Sequence, residues 1–226
     1  AGIMDLTGDP DGSPQKMGVA LADVFTGLYA TIGIQAALAQ RARTGQGQHI
    51  DMALLDSMVA VQAKQNLNYL ATGTPPTRMG NAHPNIVPYQ VFAVKDGHVI
   101  IACGNNRQFH ALSRILNQPD WIERPDMADN IKRVEHRDTV VPDIQTVLMG
   151  WSQSYLLSAM EQKGVPGGPI NTVAQALNDP QIAHRGLRAT IEGIPQVMTP
   201  IKFSDSQLKN VHAAPNLGQH NKDIKG

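Results

Sequence analysis

Between residues 19 and 43 the apolar side chains Leu21, Val24, Phe25, Leu28, Ile32 and Leu38 recur three and four positions apart, the period of a long helix. Ala22, Gly27, Ala30, Gly33, Ala36 and Ala37 keep its other faces small, so the pattern predicts a helix packed on more than one side. Arg41 and Arg43 followed by Gly45 mark its C-terminus, where cations meet the negative end of the helix dipole and glycine accepts a left-handed turn. Residues 48–54 alternate polar and apolar and predict a short strand, followed by a helix over 55–70 that the Gly-Thr-Pro-Pro-Thr run from Gly73 ends.

Two more strands are expected at 87–94 and 98–103, separated by Lys95, Asp96 and Gly97, where Asp-Gly signals a hairpin. Gly104, Asn105 and Asn106 then turn the chain into a helix over 107–116. Asp-rich turns fill 119–130, helices are expected at 133–149 and 153–162, and 165–170 (VPGGPI) reads as an extended link. A short helix at 173–177, a hairpin around 187–203 and a polar tail complete the chain, with no internal repeat or low-complexity tract.

Composition adds limits. The 226 residues are 42% hydrophobic, enough for a substantial core. Lysine plus arginine equal aspartate plus glutamate at 19 each, and the basic residues do not cluster, so no nucleic-acid partner is expected. The apolar segment 19–40 carries Asp23, Thr26, Thr31 and Gln35, which argues against a membrane span. The single cysteine, Cys103, follows the apolar run 99–102 and reads as a buried small hydrophobe rather than a reactive thiol. One cysteine and no signal peptide suit a cytoplasmic chain, or a mitochondrial or peroxisomal matrix protein in a eukaryote. The chain starts Ala-Gly-Ile-Met, as a fragment would.

The usual catalytic signatures are missing. Gly45-Gln-Gly47 has Ile50 where a dinucleotide loop needs its third glycine, and the eight histidines include no zinc-binding spacing, so no metal is expected. Residues 79–84 (MGNAHP) are the most suggestive loop: Gly80 and Asn81 tolerate positive φ, Ala82 is small, and His83 precedes a proline. Such a loop can direct N–H groups at an oxyanion or a carboxylate, or it can simply join a helix to a strand. Asn105, Asn106 and Arg107 open a helix as an anion site would, or as an ordinary cap. Asp5, Asp9, Asp11 and Asp23 are carboxylates able to act as nucleophiles, three of them in a turn-rich segment.

Several stretches together resemble the family III CoA-transferases, the CaiB/BaiF family: 1–8 (AGIMDLTG), 23–29 (DVFTGLY), 43–51 (RTGQGQHID), 78–109, 164–171 (GVPGGPIN), 179–181 (DPQ) and 215–220 (PNLGQH). The resemblance runs the length of the chain in the family's order. It implies an α/β fold, the C-terminal part of an interlocked homodimer. A connecting helix with the end of a Rossmann-like large domain would occupy 1–47, a small α+β domain with antiparallel strands 48–150, and a returning segment of the large domain 151–226.

The resemblance also implies the chemistry. CoA would pass from an acyl-CoA to a small carboxylic or dicarboxylic acid through an aspartyl anhydride and thioester, with coenzyme A thioester as substrate and no permanently bound cofactor. The nucleophilic aspartate is expected upstream of Ala1, leaving this chain without a catalytic residue and inactive alone. The family's mobile glycine-rich loop maps onto 79–84 with Gly80 its only glycine, so Asn81 and His83 are expected to shape the acceptor site. An α-methylacyl-CoA racemase and a non-catalytic CoA-binding or dimerisation fragment are the alternative readings.

Overall fold

The computed structural model describes residues 1–206 and 212–224. The elements run α1 (Ile3–Leu6), α2 (Leu21–Thr44), α3 (Leu54–Ala60), α4 (Lys64–Thr72), β1 (Tyr89–Val94), β2 (Gly97–Ala102) and α5 (Asn106–Ile115). A 3-10 turn (Pro119–Ile122), α6 (Asn130–Glu135), α7 (Arg137–Leu148), α8 (Gln153–Gln162), β3 (Gly167–Pro169), α9 (Val173–Leu177), α10 (Pro180–His184), β4 (Arg188–Ile191), β5 (Ile194–Val197) and α11 (Asn221–Ile224) follow. They form two compact units, Ala1–Gly168 and Pro169–Gly226.

The core of the first unit is a three-stranded sheet in the order β1-β2-β3 with helices on one face. Strands β1 and β2 form the expected hairpin, pairing antiparallel with Phe92 opposite Val99 and Val94 opposite Gly97. Their alternation sends Phe92, Val94, Val99 and Ile101 to one buried face. Phe109 and Leu112 of α5 pack there with Val140, Ile144 and Leu148 of α7, and with Leu156 and Met160 of α8. The four-residue spacing in α7 and α8 is the helical stripe that covers a sheet.

The outer edge of β1 is closed by a side chain. Gln145 of α7 accepts from Ala93 N at 3.0 Å and donates to Ala93 O at 2.9 Å, as a neighbouring strand would. At the other side Ala102 N donates to Pro166 O, and Gly167 of β3 lies so close that a Cβ there would stand 2.7 Å from Ile100 O. The expected extended link at 165–170 thus supplies the third strand.

Three expectations need correction. Residues 48–54 form no strand: they are exposed, and no described strand lies beside them to accept a ladder. The helix over 55–70 is two, α3 and α4, interrupted at Ala63 with φ of 48°; Asn66 Nδ2 donates to Val59 O there. The helix over 133–149 breaks at His136 into α6 and α7. The long helix forms as α2, but none of its residues is buried, with Ile32 65% and Leu28 55% exposed. Its most extensive described packing is against α3, with Gly33 near Ile50, and this leaves most of its small faces uncovered. By length and composition α2 could also cross a membrane, a test that core helices of soluble proteins pass as well.

In the second unit β4 and β5 make the expected hairpin around Glu192 and Gly193, both at positive φ, the geometry of a tight primed turn. Thr172 and Gln175 form a reciprocal capping box on α9. Part of the expected polar tail, 207–211 and 225–226, lies outside the described residues.

Candidate functional site

Residues 79–84 link α4 to β1, and the chain spends most of their N–H groups on itself. Gly80 adopts φ of 56°; its N–H donates to Gly8 O, that of Ala82 to Met79 O, and that of His83 to Tyr89 O. The expectation that this loop turns a row of N–H groups to a ligand therefore narrows to Met79 and Asn81, of which Asn81 is exposed and makes no described hydrogen bond. The His83 ring stacks on Tyr89 with centroids 5.0 Å apart, and Nδ1 accepts from Asn85 N. Its Nε2 contacts Lys64 Nζ of α4. Burial first, then the charges of Lys64 and Arg137, push its pKa below the ordinary 6.5, so the imidazole is neutral at pH 7.

Three side chains that the sequence reading did not select hold the far end of this loop. Asn130 accepts from Val87 N and donates to Asn85 O. Arg137 donates through Nη2 to His83 O at 2.7 Å and to Pro84 O at 3.2 Å. Arg133, fully buried, donates to Val87 O, Met127 O and Asn106 Oδ1 and lies 4.2 Å over the Phe109 ring. Asn130 and Arg133 lie on α6 and Arg137 opens α7, so the break at His136 separates them and no single helical spacing announces the three together.

The second predicted patch is a cap. Asn105 Oδ1 accepts from Gln108 N, and Gln108 Oε1 accepts from Gly104 N, which closes the first turn of α5. Arg107 is exposed, and Asn106 is bound to Arg133. Arg133 links the two patches indirectly, reaching both Val87 and Asn106. Cys103 is buried with its thiol pushed up to about 12 by desolvation, so it is inert as expected.

The four aspartates are now distinguishable. Asp5 pairs with Arg78 at 3.2 Å. Asp9 and Asp11 sit in an exposed turn, where Gly12 N donates to Asp9 O. Asp23 lies in the first turn of α2 and lines a largely apolar cavity of about 770 Å³, together with Lys16, Met17, Met4 and Met58. Asp5 borders that same cavity. Among the described residues no group of three or more His, Cys, Asp or Glu is gathered as a metal would require.

The model of CoA-transferase family III matches residues 1–221. The chain belongs to CoA-transferase family III. This family III chain is 47% identical, over 99% of its length and 57% of the relative's, to a protein of Agrobacterium fabrum named succinate-glutarate CoA-transferase. It is 36% identical over 99% of its length to the human protein named succinyl-CoA:glutarate CoA-transferase, of which it covers 52%. The chain thus spans about half the length of the curated relatives it matches. A solved CaiB/BaiF family protein from Brucella suis superposes with a TM-score of 0.84 at 51% identity, over 99% of this chain and 59% of that one. The Mycobacterium tuberculosis protein Rv3272 shares the fold, with a TM-score of 0.84 at 21% identity over 98% of this chain and 58% of the other. The mixed α/β architecture with antiparallel strands is that of the C-terminal part of this family's fold.

Proposed function

We propose that this chain is part of a CoA-transferase that moves CoA from an acyl-CoA to a small dicarboxylic acid. The observation that carries the reading is the match along 99% of the chain to relatives named for succinate and glutarate CoA transfer. Asp23 is the nucleophile that the geometry favours, since it alone of the four candidates lines the large apolar cavity without a described ion-pair partner. The expectation of a nucleophile upstream of Ala1 stands as the rival that the Asp23 variant below decides.

In this scheme the Asp23 carboxylate attacks the thioester carbonyl, the C–S bond breaks, and CoA thiolate leaves behind a mixed anhydride. The thiolate then attacks the aspartyl carbonyl and expels the donor as a free carboxylate. The acceptor carboxylate repeats these steps in reverse, forming a second anhydride that thiolate cleaves to give the new thioester and free aspartate. Water must be kept from both anhydrides, and because Asp23 and much of this cavity are exposed in this chain alone, the cover must come from surface outside it. The 79–84 loop and Asn81 serve the acceptor side, in the cytoplasm of a homodimeric protein.

The test is mass-spectrometric CoA exchange from succinyl-CoA to a panel of acids, using the complete product of the gene. Transfer to a dicarboxylate is expected, with Asp23→Asn slowing it at least about a thousand-fold. Hydroxylamine should trap the acyl-enzyme on the peptide carrying Asp23. Wild-type rates in Asp23→Asn would return the nucleophile to another residue; exchange at the α-carbon without CoA transfer would make the protein a racemase.

A further inference from the structure

A second cavity, about 500 Å³, opens beside the 79–84 loop and is lined by Arg78, Met79, Ala82, Gln90, Arg137 and Asp138 among others. Two of its side chains carry unsatisfied donors. Arg78 Nε and Arg137 Nη1 are buried without a hydrogen-bond partner, two of the five such side-chain atoms among the described residues. Both guanidinium groups are otherwise engaged. Arg78 Nη1 holds Asp5, and Arg137 Nη2 holds the carbonyls of His83 and Pro84.

Arg137 is a half-buried cation with no carboxylate in ion-pair contact among the described residues. Its neighbour Asp138 is exposed and forms no described ion pair. Its hydrogen-bond acceptors are neutral carbonyls, and the Asp138 carboxylate acts on it only at a distance, without an ion-pair contact, which leaves a demand for an anion. Guanidinium groups meet such a demand with forked, charge-assisted bonds to carboxylate or phosphate. The cavity is also placed for it. Arg78 lines this cavity, Asp5 borders the cavity of Asp23, and the Arg78–Asp5 pair joins the two.

We propose that the Arg78/Arg137 cavity binds the far, non-reacting carboxylate of the dicarboxylic acceptor while its other carboxylate reaches the cavity of Asp23. The inference rests on the CoA-transferase reading and names the residues that distinguish a dicarboxylate from a monocarboxylate. Arg78 and Arg137 are the specificity-determining pair, with Thr77, Gln90 and Asp138 as the other polar residues of the wall. A phosphate of CoA has related anionic chemistry, so donor and acceptor kinetics must be read separately.

Two measurements on the complete gene product test this. In the first, KM is compared for glutarate, for pentanoate and for succinyl-CoA in the unaltered protein and in Arg137→Gln. The expected result is a ten- to hundred-fold rise, roughly, in the glutarate KM, with the pentanoate and succinyl-CoA values unmoved. Arg137→Lys, which keeps the charge on the loop and loses the fork, should show a smaller loss of the glutarate preference. An equal change for glutarate and pentanoate, an unchanged preference in both variants, or a rise confined to succinyl-CoA would overturn the assignment, the last by giving the site to a CoA phosphate. The second measurement is calorimetric binding of glutarate alone. Binding by the unaltered protein and its loss in Arg137→Gln support the site whether or not CoA moves; equal binding by both refutes it. Failure of the unaltered protein to transfer CoA to any dicarboxylate sinks the functional reading separately.

Discussion

His83 shows how little a residue's identity says until its neighbours are known. In the sequence it is an imidazole before a proline; in the structure it stacks on Tyr89 beside two cations, neutral at pH 7. Because its folded pKa lies below 6.5, the unfolded chain binds a proton that the folded chain resists. Stability is therefore flat above that value with respect to this group and falls as pH drops from there through the lowered folded pKa. NMR titration of the ring should give a midpoint below 6.5, and His83→Gln should flatten that part of the acid limb in urea denaturation. A midpoint at or above the ordinary value would refute the burial argument. Asn130, Arg133 and Arg137 escaped the sequence reading for a related reason. Their bonds reach partners from 43 to 54 residues away, a separation that no local pattern encodes, apart from the contacts Arg133 makes nearer by.

Elements were legible wherever a local signal was sufficient. Lys95, Asp96 and Gly97 turn the β1-β2 hairpin, and Asn105 caps α5. The misplaced elements depend on neighbours instead. Residues 48–54 have strand periodicity but no strand to pair with, and the break at Ala63 has no glycine or proline to announce it. Strand β3 is the converse, a Pro/Gly run read as a link that joins the sheet because glycine permits close approach. Gly167→Ala should test this: a Cβ 2.7 Å from Ile100 O must push β3 off β2. A loss of about 1–3 kcal/mol in denaturant-induced unfolding is expected, whereas Gly168→Ala, with nothing within 4 Å of its added Cβ, should cost far less. Equal effects would mean that the close approach does not matter.

Across the chain, a well-sealed sheet contrasts with an uncovered long helix. Val24, Leu28 and Ile32 of α2, with Leu55 of α3 and Leu67 and Leu70 of α4, stay exposed. Each such side chain gains about 1.5–3 kcal/mol when fully buried. The homodimer implied by the family would cover such surface, and static light scattering can decide it. A dimer mass is expected for the complete gene product, with Leu28→Glu and Ile32→Glu together driving dissociation or misfolding. A monomer mass for the unaltered protein would refute the dimer. Composition is a poor guide to this packing: apolar content fixes how much can be buried, not whether the partner lies in the same stretch of chain.

Cys103 carries a practical consequence of its burial. It is the chain's sole sulfhydryl, it lies at the end of β2 within the packed face, and its raised pKa leaves almost no thiolate at neutral pH. An alkylating reagent can reach it only when the sheet and its helices part, so every labelled molecule records one opening of the core. The protein thus contains its own clock for breathing, readable by mass without attaching a foreign probe.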